Sequence, residues 1–182
     1  MTHDDQPPGP QRRVFLQQLC ATAAGAVLGT VPFGAGLTVF FDPLRRPAAA
    51  GRAVRVASLD ALPADGVPRR FPVVEARVDA WNRIPAVPVG AVYLRRRAGN
   101  QVEALSAICP HAGCMVNFVP ALGRFQCPCH NSVFTTEGRI ADPASPAPRG
   151  LDALEVSLRA DNEIYVNYQR FAAGVAEKIP LA

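Results

Sequence analysis

The sequence of 182 residues lacks the motifs of several enzyme classes. It contains no glycine-rich phosphate loop, no Ser-His-Asp set and no paired carboxylates that stand out. These absences argue against nucleotide binding, against hydrolysis through a serine nucleophile and against acid–base chemistry on two carboxylates. Charged side chains are also absent from residues 14–41.

Concentrated positive charge is missing as well. The net charge of +4 and the pI near 9.0 come from basic residues scattered in pairs and triples, so no nucleic acid partner is predicted. The largest run, Arg95–Arg97, stands at the end of an expected strand, before Ala98–Asn100. We interpret this run as a solvated turn.

Metal-ligating residues are few but concentrated. Four of the five cysteines and two of the three histidines lie in box 1, Cys109–Cys114 (CPHAGC), and box 2, Cys127–Ser132 (CPCHNS). Two cysteines and two histidines are the ligands of a two-iron cluster in which thiolates hold one iron and imidazoles hold the other. The same four ligands also fit a tetrahedral zinc site.

The spacing inside each box favours the two-iron alternative. Zinc fingers and ribbons usually present each ligand pair as Cys-x2-4-Cys or His-x3-5-His. Here each box supplies one Cys and one His, as Cys-x-His in box 1 and Cys-x2-His in box 2. This mixed pairing suits two separate irons, and a zinc site would leave two cysteines without a role.

The two boxes resemble those of Rieske iron–sulfur proteins, because box 1 fits C-x-H-x-G-C and box 2 fits C-P-C-H-x-S. By motif the resemblance covers roughly residues 100–160. It implies a [2Fe-2S] cluster whose inner iron is bound by two cysteines and whose outer iron is bound by two histidines. These implied ligands are Cys109, Cys127, His111 and His130.

The resemblance also implies roles for the other residues of the boxes. Cys114 and Cys129 would form a bridging disulfide. In many members that oxidise ubiquinol or plastoquinol, box 2 is followed by a tyrosine whose hydroxyl bonds a ligand cysteine. Ser132 keeps its hydroxyl here, but Phe134 replaces that tyrosine. Since a lost donor to sulfur lowers the reduction potential, we expect a lower-potential quinol such as menaquinol.

A third segment, residues 142–151 (DPASPAPRGL), resembles the proline loop of the quinol-oxidising members, commonly G-P-A-P-R. Ser145 replaces the first glycine of that pattern. In the family this loop covers the cluster, and Pro146 and Pro148 would shield it while keeping the loop stiff.

The N-terminal part predicts attachment to a membrane. Residues 20–41 form an apolar stretch of 22 residues, long enough to span a bilayer. The tail of residues 1–19 contains Gln11–Leu16 (QRRVFL), which resembles a twin-arginine (Tat) export signal. Such signals export folded, cofactor-loaded proteins to an oxidising compartment, where a disulfide persists. Residues 42–54, rich in Pro, Ala and Gly, are expected to form a flexible tether.

Residues 55–168 predict an all-β head, a small antiparallel β-sandwich with a cluster-binding subdomain at about 105–150. Short runs rich in Val, Leu, Ile, Tyr or Phe alternate with turn residues. Leu154–Leu158 and Glu163–Asn167 are expected to form a terminal hairpin with an Asp-Asn turn. The other expected strands are Arg69–Val78, Gly90–Arg96 and Gln101–Ala107. Residues 169–182 are expected to be a C-terminal tail.

Together these features are similar to those of the Rieske subunit of a cytochrome bc complex. The resemblance implies a quinol:cytochrome c oxidoreductase in which this chain alone carries electrons. Its partners would be a cytochrome b-type subunit and a c-type cytochrome. His130 would contact the quinol hydroxyl as the catalytic residue, with His111 beside it. The chain would cross the bacterial inner membrane once, with the head on the periplasmic side.

A second possibility is the Rieske small subunit of a molybdenum oxidoreductase such as arsenite oxidase. Those subunits also have a Tat signal, and their box 2 is often followed by the phenylalanine that is found here at Phe134. The proline loop, the apolar span and the tether favour the cytochrome bc complex.

Overall fold

The computed structural model of the protein describes residues 12–45, 51–78 and 81–181. The chain divides into two compact units, residues 1–47 and 48–182. Each unit has its own secondary structure and is described separately.

The first unit contains helix α1, Arg12–Arg45, of 34 residues. By length and composition, Arg12–Asp42 could cross a membrane. The hydroxyls of Thr22, Thr30 and Thr38 donate to carbonyls one turn earlier, which satisfies these polar groups within the helix. Helix α1 extends beyond the predicted anchor of residues 20–41 at both ends.

The second unit is built from antiparallel strands, which confirms the predicted all-β head. The strands are β1 (Arg52–Ser58), β2 (Arg69–Val78), β3 (Arg83–Arg96), β4 (Val102–Ser106), β5 (Asn117–Val119), β6 (Arg124–Gln126), β7 (Val133–Thr135), β8 (Ala153–Leu154), β9 (Val156–Arg159) and β10 (Glu163–Tyr168). Sheet I has the order β1-β10-β9, sheet II β2-β3-β4-β8, and sheet III β5-β6-β7.

Sheets I and II share one hydrophobic core. In β10 every second side chain is buried, Ile164, Val166 and Tyr168, because alternate residues of a strand point to opposite faces. They meet side chains of sheet II such as Val73 and Leu94, which are also buried. Each such aliphatic side chain contributes about 1.5–3 kcal/mol on burial, so this core holds the base of the head together.

The terminal hairpin forms as predicted, between β9 and β10. Asp161 and Asn162 take positive φ angles of 66° and 60°, which Asn and Asp tolerate better than most residues. The predicted strand Leu154–Leu158 is instead divided at Glu155. Its first part is β8 in sheet II, and its second part is β9 in sheet I.

The arginine run Arg95–Arg97 is not the solvated turn that we expected. Arg95 is buried and donates to Glu103 and Glu137, and Arg96 donates to the carbonyls of Leu59 and Leu62. Both belong to β3, and the turn follows them. The two carboxylates supply the hydrogen-bond partners that a buried guanidinium needs.

The boundaries around the predicted tether also differ from the sequence interpretation. Helix α1 continues to Arg45, and β1 begins at Arg52 and pairs with β10. Both ends of the predicted tether 42–54 thus have regular structure, while residues 46–50 lie outside the described part. Residues 169–181, predicted as a tail, fold back on themselves through a β-bridge between Phe171 and Pro180, and the Gly174 amide bonds to Pro110 of the head.

Candidate metal centre

Box 1 is a tight loop closed by its own backbone. The amide of Cys109 donates to the Cys114 carbonyl at 2.7 Å, and the amide of Gly113 donates back to the Cys109 carbonyl at 2.9 Å. Gly113 has a φ of 77°, a conformation in which glycine avoids steric cost. The loop therefore holds Cys109 and His111 on one rigid turn.

Box 2 repeats this turn. The amide of Cys127 donates to the Ser132 carbonyl at 2.8 Å, and the amide of Asn131 donates to the Cys127 carbonyl at 3.1 Å. Asn131, with a φ of 56°, takes the place that glycine has in box 1. The sequence spacing differs between the boxes, yet each loop starts with a buried cysteine and carries one histidine near its tip.

A disulfide joins the two loops, Cys114 to Cys129. This is the pairing that the family resemblance implies. Cys109 and Cys127 are both free thiols and both buried. The Cys127 sulfur lies within 4.8 Å of both disulfide sulfurs. Two of the four cysteines in the boxes therefore form the disulfide, and the other two remain available as metal ligands.

Burial raises the pKa of the Cys109 thiol, and the neighbouring Cys127 thiol raises it further. A metal binds the thiolate form of cysteine, so binding at this site must release protons. Two adjacent buried thiolates would repel one another without a cation. The pair is consequently suited to a positively charged iron centre.

The two imidazoles meet at the rim of the site. The rings of His111 and His130 lie 4.8 Å apart between centroids, in an edge-to-face arrangement. His130 is exposed, whereas His111 is half-buried. The Nδ1 atom of His111 is buried and has no hydrogen-bond partner among the described residues, and the same is true of Ser132 Oγ.

These orphaned atoms fit the metal cluster implied by the sequence. Buried polar atoms without partners are rare in proteins and need an explanation. Two buried thiols, a buried imidazole nitrogen and a buried hydroxyl belong to two loops that are joined by a disulfide. A sulfide-bridged iron pair would give each of them a partner, with sulfur ligands inside and nitrogen ligands at the rim.

Phe134 lies in the apolar floor of the site. It is fully buried on β7, in the same hydrophobic cluster as Cys109 and Cys127. It pairs with Phe125 of β6 across sheet III. The side chain thus supplies packing without a hydroxyl, as the sequence indicated.

The proline loop packs onto this hydrophobic cluster through Ala147, which is buried. Pro146 and Pro148, on either side of Ala147, are exposed. The Val133 amide donates to Ser145 Oγ. The loop is therefore attached directly to β7, next to box 2.

Sequence reasoning missed two supports of the site. Tyr93 of β3 is buried, donates its hydroxyl to the Val116 carbonyl and accepts from the Phe118 amide, both at 3.1 Å. It links sheet II to the strand after box 1. Arg149 forms a two-pronged ion pair with Asp152. Nothing in the local sequence distinguishes Tyr93 from an ordinary strand residue, and the proline-loop motif that contains Arg149 did not indicate its pairing with Asp152.

Comparison with known proteins gives consistent results. The Rieske [2Fe-2S] domain family matches residues 53–157. The cytochrome b6-f complex iron-sulfur subunit of Synechococcus sp. (strain JA-3-3Ab) is 30% identical over 168 residues, covering 89% of this chain and 90% of that protein. The menaquinol:cytochrome c reductase iron-sulfur subunit of Bacillus subtilis (strain 168) is 28% identical over 158 residues, covering 85% and 90%.

Among solved structures, the plasma membrane Rieske protein PetC3 from Synechocystis PCC 6803 is 26% identical to this chain. The two superpose with a TM-score of 0.43, covering 62% of this chain and 97% of that one. The family match at 53–157 includes both boxes and the strands that support them.

Proposed function

The chain belongs to the Rieske [2Fe-2S] family, and on that premise we propose that it is the electron-transfer subunit of a cytochrome bc-type complex. The observation that carries this proposal is the extent of the similarity. An alignment covering 89% of the chain includes part of helix α1 as well as the head. The relatives that align with both the helix and the head are named as iron-sulfur subunits of a cytochrome b6-f complex and of a menaquinol:cytochrome c reductase.

Four side chains would hold the cluster. Cys109 and Cys127 are the free buried thiols and would bind the inner iron; His111 and His130, at the rim, would bind the outer iron. The buried Nδ1 of His111 is suited to the metal, which leaves Nε2 for other contacts. When bound, the cluster exchanges a single electron at a potential raised by its imidazole ligands.

The histidines would also receive the substrate. His130 is exposed at the tip of box 2, so its ring can accept a hydrogen bond and then a proton from a quinol hydroxyl. His111 is half-buried beside it and would limit access from that side. The pocket for the quinol needs a second wall, which a cytochrome b-type subunit would supply. A c-type cytochrome would then take the electron.

The presence of Phe134 supports the proposal that the substrate is a low-potential quinol such as menaquinol. The residue is buried among the apolar side chains around Cys109 and Cys127, where it offers no hydrogen bond to sulfur. A cluster with fewer donors to its sulfurs has a lower potential. The relative from Bacillus subtilis, which is named a menaquinol reductase subunit, has a similarity to this chain of comparable extent.

The anchor and the disulfide support a location at the bacterial inner membrane, with the head on the periplasmic side. Helix α1 is long and apolar enough to span a bilayer, and the Cys114–Cys129 disulfide is suited to an oxidising compartment. Arg12 and Arg13, part of the motif that resembles a Tat signal, stand at the start of the helix. Export after folding would let the cluster be inserted beforehand.

The test is the metal and haem content of the native complex, extracted in mild detergent through a tag on this chain. Iron together with b-type haem, and no molybdenum, is the expected result. Molybdenum without b-type haem would contradict the proposal and favour a small subunit of an arsenite oxidase-like enzyme. A matched pair of variants tests the ligands, because Cys109→Ser should lose the iron of this subunit, whereas Cys20→Ser in the exposed helix should keep it.

A further inference from the structure

Residues 169–181, here called the C-terminal brace, pack against the part of the head that carries the metal site. The brace is closed on itself by bonds from the Ala172 amide to Ile179 and from the Leu181 amide to Arg170. Lys178 lies over the Phe171 ring and donates to the Ala153 carbonyl at 2.6 Å. The segment is therefore a defined loop with its own contacts to the head.

Arg149 clamps the brace onto the proline loop. Its guanidinium pairs with both oxygens of Asp152 at 3.0 and 2.9 Å, and also donates to the carbonyls of Ala172 and Val175 in the brace. The side chains of Arg149 and Asp152 are only 12% and 7% exposed. A lysine could not make this set of bonds, because it lacks the planar fork of five donors.

The brace touches box 1 directly. The Gly174 amide donates to the Pro110 carbonyl at 2.8 Å, between the two proposed ligands of that box. Gly174 has a φ of 78°, and a Cβ there would lie 3.7 Å from the His111 carbonyl oxygen. The backbone that carries His111 is thus fixed from outside the loop as well as by the loop's own turn.

The brace also closes the space behind Cys109. A cavity of about 140 Å³ is lined by Cys109 and Pro110 on one side, by Phe171, Ala173 and Leu181 of the brace on the other, and by Arg149. Without the brace, this side of Cys109 would face bulk water.

We propose that the C-terminal brace, held by Arg149, positions box 1 and screens the Cys109 sulfur from water, so that it helps to set the reduction potential. This inference rests on the proposed ligand roles of Cys109 and His111. Arg149 is a positioning residue, since its hydrogen bonds go to Asp152 and to the brace and not to a proposed ligand. Water admitted behind Cys109 would stabilise the reduced, more negative state and raise the potential.

The test compares Arg149→Lys with Arg139→Lys in the full-length, cluster-loaded protein in detergent. Arg139 is a suitable control because its side chain is 79% exposed and lies at 4.0 Å from Glu137. Hydrogen exchange followed by mass spectrometry reports on the brace and on box 1. A redox titration followed by circular dichroism reports on the cluster.

In Arg149→Lys, we expect exchange about tenfold faster in both the brace and box 1, together with a higher potential. Arg139→Lys should change none of these. Faster exchange confined to the brace, with box 1 and the potential unchanged, would overturn the proposal by making the clamp merely structural. Unchanged exchange in all segments would also overturn it.

A second variant, Gly174→Val, protects the test against a general folding defect of Arg149→Lys. Valine at a positive φ is strained, so the bond to Pro110 should weaken while Arg149 and Asp152 stay intact. The same rise in potential is expected, and its absence counts against the brace. The iron content of the wild-type protein separates the proposed function from the proposed role of the brace. A wild-type head that binds no iron pair would contradict the proposed function itself.

Discussion

The amide of Val133 donates a hydrogen bond to the hydroxyl of Ser145 at 3.3 Å, which attaches the proline loop to the strand that follows box 2. Ser145 is the residue that departs from the glycine of the related G-P-A-P-R loops. Glycine has no side chain with which to accept this bond. The departure therefore adds a contact between two segments that surround the proposed cluster.

Replacing Ser145 by Ala should lower the free energy of unfolding by about 1 kcal/mol, because the amide of the buried Val133 would lose its acceptor. Urea unfolding of the full-length protein in detergent measures the loss. Ser157→Ala, at an exposed position of β9, is the matched control and should be nearly neutral. Equal stability of the two variants would show that the Ser145 bond contributes nothing.

Phe134→Tyr should raise the reduction potential by about 60 mV, because the added hydroxyl would donate a hydrogen bond to a cysteine sulfur. For one electron, about 59 mV corresponds to a tenfold change in the equilibrium constant of reduction. Phe118→Tyr adds a hydroxyl elsewhere in the same cluster and should leave the potential unchanged. Redox titration followed by electron paramagnetic resonance measures both variants. A wild-type potential already as high as that of ubiquinol-linked relatives would refute the menaquinol proposal.

Gly90→Ala should destabilise the head by about 1–3 kcal/mol, the usual cost of overpacking. A Cβ at this position would overlap the hydroxyl oxygen of Tyr168, whose side chain is largely buried. Thermal unfolding followed by circular dichroism is the measurement. Gly29→Ala in helix α1, where a Cβ meets nothing within 4 Å, should leave the melting of the head unchanged; a similar loss in both would disprove the steric explanation.

The pairing of Glu137 with Arg95 should stabilise the protein at neutral pH, and this stabilisation should be lost in acid. Hydrogen bonding to Arg95 lowers its pKa below the ordinary value of 4.5, so its stabilising effect is complete above pH 4.5 and disappears as the pH falls through the folded-state pKa. Glu137→Gln should therefore be less stable than wild type at pH 7, and the difference should shrink below pH 4.5. Unfolding curves between pH 3 and 7 test this, and a difference independent of pH would exclude it.

The sequence predicted the parts of the site that depend on local pattern. The concentration of cysteine and histidine in boxes 1 and 2, the apolar packing of Phe134 and the Asp161–Asn162 turn can all be recognised from residue type and spacing. Each of these features is determined by residues that are close together in the chain. Sequence reasoning therefore reached them without knowledge of the tertiary packing.

The features that were missed depend on residues far apart in the chain. Arg95 stands in a basic run, and only its position opposite Glu103 and Glu137 makes it a buried ion-pair residue. The C-terminal brace has no alternating apolar pattern, and its order comes from Arg149 and Pro110. Similarly, β1 begins within a segment rich in Ala and Arg, where pairing with β10 decides the structure.

The pairing of β1 with β10 has a mechanical consequence. The head is connected to the helix through the start of β1 at Arg52, and the antiparallel partners of this strand run from Arg52↔Tyr168 to Ser58↔Glu163. A force applied along β1 would load this ladder of backbone hydrogen bonds in shear, so that the bonds share the force instead of breaking one after another. At Glu155 the chain passes from β8 in sheet II to β9 in sheet I, and the shared hydrophobic core joins the two sheets as well. The head should therefore resist tension from its anchor as one body.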